Sequence, residues 1–372
     1  MIPYIRGLHS ITCIHFLPNM KILIPLLFPL FLTVNGCLHI SGPSNKNCTP
    51  TDPSVFLFAY SNDLDRSDLI MYYQLTGPIY NTHRSHGLKF NVAATVRFDT
   101  KIREDIVFHE VANEDDKLFH SQNAAGTRVE QQNVDPSQRF DSSETGSDVL
   151  DMLERFIGTN YKDLCGSSAL IVMSRSPNEV EISKLVTKIR EYHITLNIVV
   201  RVPFSGGHRP ETIYDLAAKT NGQCAFTNVV RDQAYHWMPN ILNAFTYYSL
   251  NLKVSGTGTM VLPPLTLQKN ATLDLGVGAQ SSATAESFQN LTLSWRNSQT
   301  GTTGSFSRTR EQMNQKSLNF FSKEKFLEAE AATYELTLDY NYSLEDTVLI
   351  RMNSLQPIDD WLPYQNSSIE TQ

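Results

Sequence analysis

Two short stretches hold the residue types with which this chain could bind a polar or charged ligand. Ser61, Asn62 and Asp63 follow the apolar run Val55 to Tyr60, and Ser174, Arg175 and Ser176 follow the apolar run Ala169 to Met173. Both runs have the length and composition of strands buried on two faces, and ligands of open α/β sheets sit at the carboxyl ends of such strands. Hydroxyls, a carboxylate and a guanidinium placed there are groups for recognition. Chemistry of other kinds leaves no trace: the chain has no H-E-x-x-H, no G-x-S-x-G, no Walker loop and no G-x-G-x-x-G after the first strand. The glycines of Ser255-Gly256-Thr257-Gly258-Thr259 lie between β patterns and read as a loop. His83 and His86 are spaced i, i+3, but Gly87 and the turn-like composition around them argue against a helix, and the other scattered histidines read as surface or turn residues. No catalytic residue and no cofactor is expected.

The elements that would position these loops alternate between strand and helix. Phe90, Val92, Ala94, Val96 and Phe98 alternate with polar or small residues, and Ile106 to Phe108 follows after a turn, as in a hairpin at a sheet edge. Val149, Leu150, Met152, Leu153, Phe156 and Ile157 form one stripe at helical spacing, with Ser147 placed to cap it. A helix over Glu179 to Tyr192, a strand at Leu196 to Val202, a helix around Ile213 to Ala217 ended by Asn221-Gly222, and a last strand from Cys224 complete the series. The polar stretch Asn113 to Thr145 reads either as a recognition loop or as a segment without order.

Composition changes near Trp237 to Phe245, and a domain boundary is expected near Ala244. Beyond it period-two alternation dominates: Tyr248 to Val254, Leu291 to Trp295, Tyr334 to Tyr340 and Val348 to Met352 each put apolar residues on one face. These strands predict a β-sandwich, with Leu318 to Ala332 as a short helix. The expected organisation is a leader at 1–36, a short segment at 37–53, an α/β domain at 54–244, a β-sandwich-like domain at 245–357 and a tail at 358–372.

The leader is read from Lys21 and the apolar run Ile22 to Val34, closed by Asn35-Gly36, with translation starting at Met1 or Met20. It predicts a secreted, extracellular protein without stable membrane insertion. Loss of Arg6 and Lys21 takes 31 basic residues to 29 against 38 acidic, a net charge of −9, which disfavours nucleic acid as a partner. Cys37, Cys48, Cys165 and Cys224 remain, an even set for an oxidising compartment. The short loop favours Cys37 with Cys48, leaving Cys165 with Cys224. Sequons at Asn47, Asn270, Asn290, Asn341 and Asn366 mark glycosylation acceptors.

Order, spacing and strand character over Ser54 to Asn228 resemble a von Willebrand factor A domain, down to the ending Leu216-Ala217-Ala218-Lys219-Thr220-Asn221-Gly222-Gln223-Cys224. The whole arrangement is similar to families of secreted, uncharacterised nematode proteins that carry such a domain. The resemblance implies a doubly wound, mostly parallel sheet and a divalent cation held by an Asp-x-Ser-x-Ser loop, a Thr and a second Asp, oxygen ligands that suit a hard cation. Carried over by position, the first Asp falls on Ala59, the two hydroxyls on Ser61 and Asp63, the Thr on Thr145 or Ser147, and the last Asp on Ser174 or Arg175. A register shifted to Asp63-Leu64-Asp65-Arg66-Ser67 would still leave Arg175 in the third loop, where a guanidinium competes with a cation. The site is therefore expected to be degenerate and metal-free, with Arg175 pairing Asp63 in place of the cation's charge.

These readings combine into a secreted, glycosylated, non-enzymatic protein that binds an extracellular protein partner through Ser61, Asp63, Ser147 and Arg175. The alternative is a carbohydrate-binding protein using outward-facing Trp295, Tyr334 and Tyr340 on the sandwich, with a glycan as its partner. A hydrolase with an unrecognised site is the third.

Overall fold

The computed structural model describes residues 48–69, 89–111, 117–230, 245–313, 317–322 and 327–365. The leader, Cys37, Asn47, Asn366 and the expected boundary at Ala244 lie outside them. Among the described residues the chain forms β1 Ser54–Ser61, α1 Arg66–Leu69, β2 Phe90–Phe98, β3 Val107–Phe108, α2 Lys117–Gln132, α3 Val149–Gly158, β4 Ser168–Met173, α4 Ser183–Glu191, β5 Thr195–Arg201, α5 Pro210–Lys219 and β6 Gln223–Thr227. These make a six-stranded sheet in the order β3-β2-β1-β4-β5-β6, parallel except where β3 returns against β2.

Burial on both faces explains the unbroken apolar runs of β1 and β4. On one face Val55, Leu57 and Ala59 pack with Met152 and Phe156 of α3, Leu185 and Ile189 of α4 and Ile213 and Leu216 of α5. On the other, Phe56, Phe58 and Tyr60 pack with Leu69 of α1 and Ala125 and Val129 of α2. The polar stretch read as a loop thus contains a 16-residue helix. α4 begins later than the periodicity predicts, and Val180, expected inside it, is 68% exposed. α5 ends as expected: Asn221 takes the left-handed conformation (φ 56°), while a Cβ on Gly222 would stand 2.1 Å from the Leu196 carbonyl, so glycine there permits the close approach to β5.

The second half is β7 Phe245–Thr266, β8 Ala271–Gly278, β9 Phe288–Asn297, β10 Thr303–Thr309, β11 Phe320–Ser322, β12 Leu327–Ala329 and β13 Thr333–Ser354. They form a seven-stranded antiparallel sheet in the order β10-β9-β13-β8-β11, with β7 on β13 and β12 on β8. The 22-residue strands β7 and β13 run together along their lengths; β13 pairs β9 through its first part and β8 through its last. The change of neighbour coincides with a register shift between Tyr342 and Asp346, opposite Gly256 at φ 66°. The segment Ser255 to Thr259, expected as a loop, is therefore the bend of a continuous strand. Leu318 to Ala332, expected as a helix, supplies β11 and β12 instead.

The disulfide joins Cys48 to Cys165, with Cα atoms 6.3 Å apart, and Cys224 is free. This corrects the expected pairing of Cys165 with Cys224 and of Cys37 with Cys48. Cys224 lies within β6, fully buried, and burial pushes its thiol far above the ordinary range. No helix among the described residues is long and apolar enough to cross a membrane.

The described residues belong to one compact unit, and its two sheets are joined through buried polar groups. Arg351 on β13 is 1% exposed; its Nε donates to the Gly222 carbonyl at 2.8 Å, its Nη1 to Leu250 at 2.9 Å and its Nη2 to Asn251 Oδ1 at 2.8 Å. The Tyr214 hydroxyl on α5 donates to the Thr347 carbonyl at 2.9 Å. Asn319 covers the edge of β6, accepting from Phe226 N at 2.7 Å and donating to the Cys224 carbonyl at 3.1 Å.

Near the disulfide, Trp361 donates from Nε1 to the Cys48 carbonyl at 3.0 Å and stacks on His193 at 4.3 Å. Lys89 Nζ lies 4.9 Å from the Trp361 ring centroid and 5.2 Å from that of Phe245. Burial pushes this ammonium down to about 7, with Asp52 opposing. From there up to the ordinary lysine value of about 10.4 the unfolded chain holds the extra proton, so this group makes the fold more stable as pH rises through that window. Relative to Lys89→Met, the native chain should gain about 1 kcal/mol of stability per pH unit between about pH 7 and 9. Denaturant titrations at several pH values measure this, and parallel curves for the two proteins would contradict it.

Candidate functional site at the carboxyl end of the parallel sheet

Four strand ends and the start of α3 bring the polar loops together. β1 delivers Ser61 and Asp63, β2 ends in Asp99, β4 continues into Arg175, β5 leads to Ser205 and Gly206, and Ser147 with Asp148 precedes α3. Arg175 and Asp63 form an ion pair, Nε to Oδ2 2.7 Å, with each side chain 4% exposed. The Ser205 hydroxyl donates to the same carboxylate oxygen at 2.7 Å. Arg175 Nη1 donates to the carbonyls of Ser142 at 2.9 Å and Thr145 at 2.5 Å, and the guanidinium lies 5.3 Å from the Phe140 ring centroid. One cationic side chain therefore ties together the loops after β1, before α3 and after β4.

Glycine at 206 is required by this seat. A Cβ there would stand 2.3 Å from Arg175 Nη1 and 2.7 Å from the Ser143 carbonyl. Arg175 and Gly206 bridge as a last parallel pair beyond the sheet, and the Gly206 carbonyl accepts Ser176 N at 2.8 Å.

Behind the ion pair lies Asp99, fully buried, with φ at 60°. It accepts from the Ser61 hydroxyl at 2.5 Å, the Ser147 hydroxyl at 2.7 Å and Asp148 N at 3.1 Å, while its own N–H donates to Asp148 Oδ1 at 2.7 Å. Burial and the neighbouring Asp148 carboxylate hold Asp99 well above the usual carboxylate range, against the pull of the two hydroxyls. Ser147 Oγ also accepts Val149 N at 3.2 Å, although the residue at the N-cap of α3 is Asp148, whose side chain makes no capping bond.

Ser61, Asp63, Ser147 and Arg175 thus sit in one cluster. Ala59 is in the hydrophobic core, Thr145 is exposed and contributes its carbonyl, and Ser174 is buried and accepts Ser205 N through its carbonyl at 2.7 Å. Asp99, Asp148, Ser205 and Gly206 are not site residues that the sequence singles out. Asp99 alone left a signal, an acid directly after the last alternating residue of β2.

Ser61, Asp63, Asp99, Ser147, Arg175 and Ser205 each have an internal side-chain partner, the buried Ser176 hydroxyl has none, and among the described residues no three acid, histidine or cysteine side chains are arranged to hold a metal ion. These internal bonds let the cluster fix the geometry of the loops. What it presents outward is its rim. Glu144 and His208, both exposed, pair at 2.9 Å across two loops, and Asn178 joins them by donating to the Glu144 carbonyl at 2.8 Å and accepting His208 N at 3.0 Å.

In the β-rich half, Trp295, Tyr334 and Tyr340 are buried, at 7%, 6% and 7% exposure. The acceptors Asn270 and Asn290 are exposed and Asn341 is half-buried.

Residues 250–355 match a domain of unknown function, DUF7154, which coincides with most of the antiparallel sheet. None of the curated proteins matches the chain. Among solved structures it is similar to the N-terminal domain of TFIIH p34, at TM-score 0.30 and 11% identity, over 51% of this chain and 98% of that one. It is also similar to the Yersinia pseudotuberculosis-derived mitogen, at TM-score 0.21 and 10% identity, over 33% of this chain and 96% of the other. Scores this low carry no argument about function.

Proposed function

We propose that this chain is a secreted, glycosylated, non-enzymatic binding protein whose α/β half is a von Willebrand A-like module that engages an extracellular protein without a cation. The observation that carries this reading is the buried Arg175–Asp63 pair at the convergence of three loops. In such a module a divalent cation draws the loops together through carboxylate and hydroxyl oxygens. Here the guanidinium does so from within, through its bonds to Asp63, Ser142 and Thr145. Loop shape is then fixed by the sequence itself, and the exposed rim of Glu144, Asn178 and His208 is the surface offered to the partner. The β-rich half, two strand groups sharing the bent β7–β13 ribbon, serves as a sandwich-like support.

The alternative of sugar binding through Trp295, Tyr334 and Tyr340 finds no outward ring among these three. A protein partner is the better fit to the polar rim. Affinity capture by the purified chain from its own extracellular material tests the reading. The captured partner should be retained equally with and without a chelator, and Glu144→Lys should reduce capture about tenfold, because a charge of the wrong sign at an interface is costly. Release of the partner by chelator alone would contradict the cation-free reading.

A further inference from the structure

Two sequons of the β-rich half share a single position on its outer face. Asn290 of β9 and Asn341 of β13 are direct cross-strand partners, flanked in the same row by Thr309 of β10 and Thr257 of β7. Directly opposed residues of an antiparallel pair have Cβ atoms about 4.5–5.5 Å apart and project to the same side. That gap is narrower than a substituted hexose ring, so two sugars cannot stand upright side by side in it. The two asparagines are also unequal. Asn290 is exposed, whereas Asn341 is half-buried and its Oδ1 accepts the Thr257 hydroxyl at 3.1 Å. Asn290 also precedes Asn341 in the chain, so it reaches a modifying enzyme before β13 exists to pair with β9.

We propose that Asn290 and Asn341 form one composite N-glycan acceptor, filled at Asn290 and bare at Asn341. In this modification the amide nitrogen bonds the anomeric carbon of a lipid-pyrophosphate-linked oligosaccharide and loses a proton, and the lipid pyrophosphate departs. The inference rests on the secretory reading above and adds to it a single glycan per pair. A sugar on Asn290 lies over Asn341 and over the small hydroxyl residues beside it, among them Thr292 and Ser307, whose hydroxyls lie 2.9 Å apart. Once β9 and β13 have zipped together, the second acceptor is covered. The antiparallel face around this row is then a sugar-bearing face, and a protein partner is left to the loops at the other half of the molecule.

The test is site occupancy of the full chain secreted from a eukaryotic cell line, read by mass spectrometry after amidase release of glycans in heavy-oxygen water. Asn290 should be occupied in most chains and Asn341 in few; Asn290→Gln should raise Asn341 occupancy several-fold, while Asn341→Gln should leave Asn290 unchanged. Chains carrying both glycans as the major species, or Asn341 still bare after Asn290→Gln, would overturn the proposal. Exposed Asn270 separates the two levels of the argument. A glycan at Asn270, Asn47 or Asn366 with none at the pair sinks the composite acceptor alone, and a secreted chain bare at all five acceptors sinks the glycosylated reading with it.

Discussion

Replacing Arg175 by alanine is expected to lower stability by about 3–5 kcal/mol, because it strands a carboxylate in a buried site. Asp63 would keep the Ser205 hydroxyl but lose its charge partner, and the carbonyls of Ser142 and Thr145 would lose a donor. Removing both charges should hurt less than the two single losses added together. A buried pair is close to neutral when replaced as a unit, since desolvation of two ions offsets much of their attraction. Arg175→Met with Asp63→Asn should therefore be more stable than the sum of the single variants implies, by about 1–3 kcal/mol in a double-mutant cycle. Arg175→Lys should fall between, as an ammonium can meet Asp63 but cannot fork to two carbonyls from the same planar group. Denaturant unfolding of the native chain, Arg175→Met, Asp63→Asn and the double variant supplies the cycle. Additive losses would mean that the two residues do not act as a pair.

The second large effect is expected at Arg351, where the two sheets meet. This guanidinium has no carboxylate among its hydrogen-bond partners; it is held by the carbonyls of Gly222, Leu250 and Ile350 and by Asn251 Oδ1. Burial pushes it down only to about 10, so it is charged at neutral pH. The Ala218 carbonyl near the C-terminus of α5, at 3.5 Å from Nη2, adds the negative end of a helix dipole. Arg351→Met would leave several buried carbonyls without a donor, at about 1–3 kcal/mol for each unsatisfied group, a total loss of about 3–5 kcal/mol. The loss should appear in a single calorimetric transition for the whole chain, because the acceptors lie on both halves. A fragment limited to the antiparallel half lacks Gly222 and Ala218 and should show no sharp transition. Two separate transitions, with Arg351→Met shifting only one of them, would contradict this.

Much of the α/β half is legible in the sequence because its physics is local. β1 and β4 are apolar on both faces, so a continuous run marks each, and the stop at Asn221-Gly222 follows from backbone conformations that few residues adopt. α2 is not legible: among its described side chains Ala125 and Val129 are the buried hydrophobic ones and Ser121 and Gln122 are buried polar ones, too sparse a set to announce a helix. β7 and β13 were read as broken pieces because the extra residues at 343–345 shift the alternation, and a bend then looks like a loop. The disulfide was misassigned because proximity along the chain says little about proximity across 117 residues. At the site, Ser61, Asp63, Ser147 and Arg175 could be placed from strand ends, but Asp99 could not. Its role depends on three chain segments meeting, and nothing in an acid after a strand reports that two serines will close over it.

If the Arg175 guanidinium gathers these loops in place of a cation, as proposed, its removal should open the site to one. Removal of Arg175 leaves Asp63, Ser61, Ser147, Ser205 and Asp99 around a space without positive charge, an oxygen set of the kind magnesium or calcium takes. Thermal unfolding of the native chain and of Arg175→Ala should be followed over a range of magnesium and calcium concentrations. The midpoint of Arg175→Ala should rise with added cation while that of the native chain stays flat. A native chain that gains stability with cation, or an Arg175→Ala protein indifferent to it, would contradict the account.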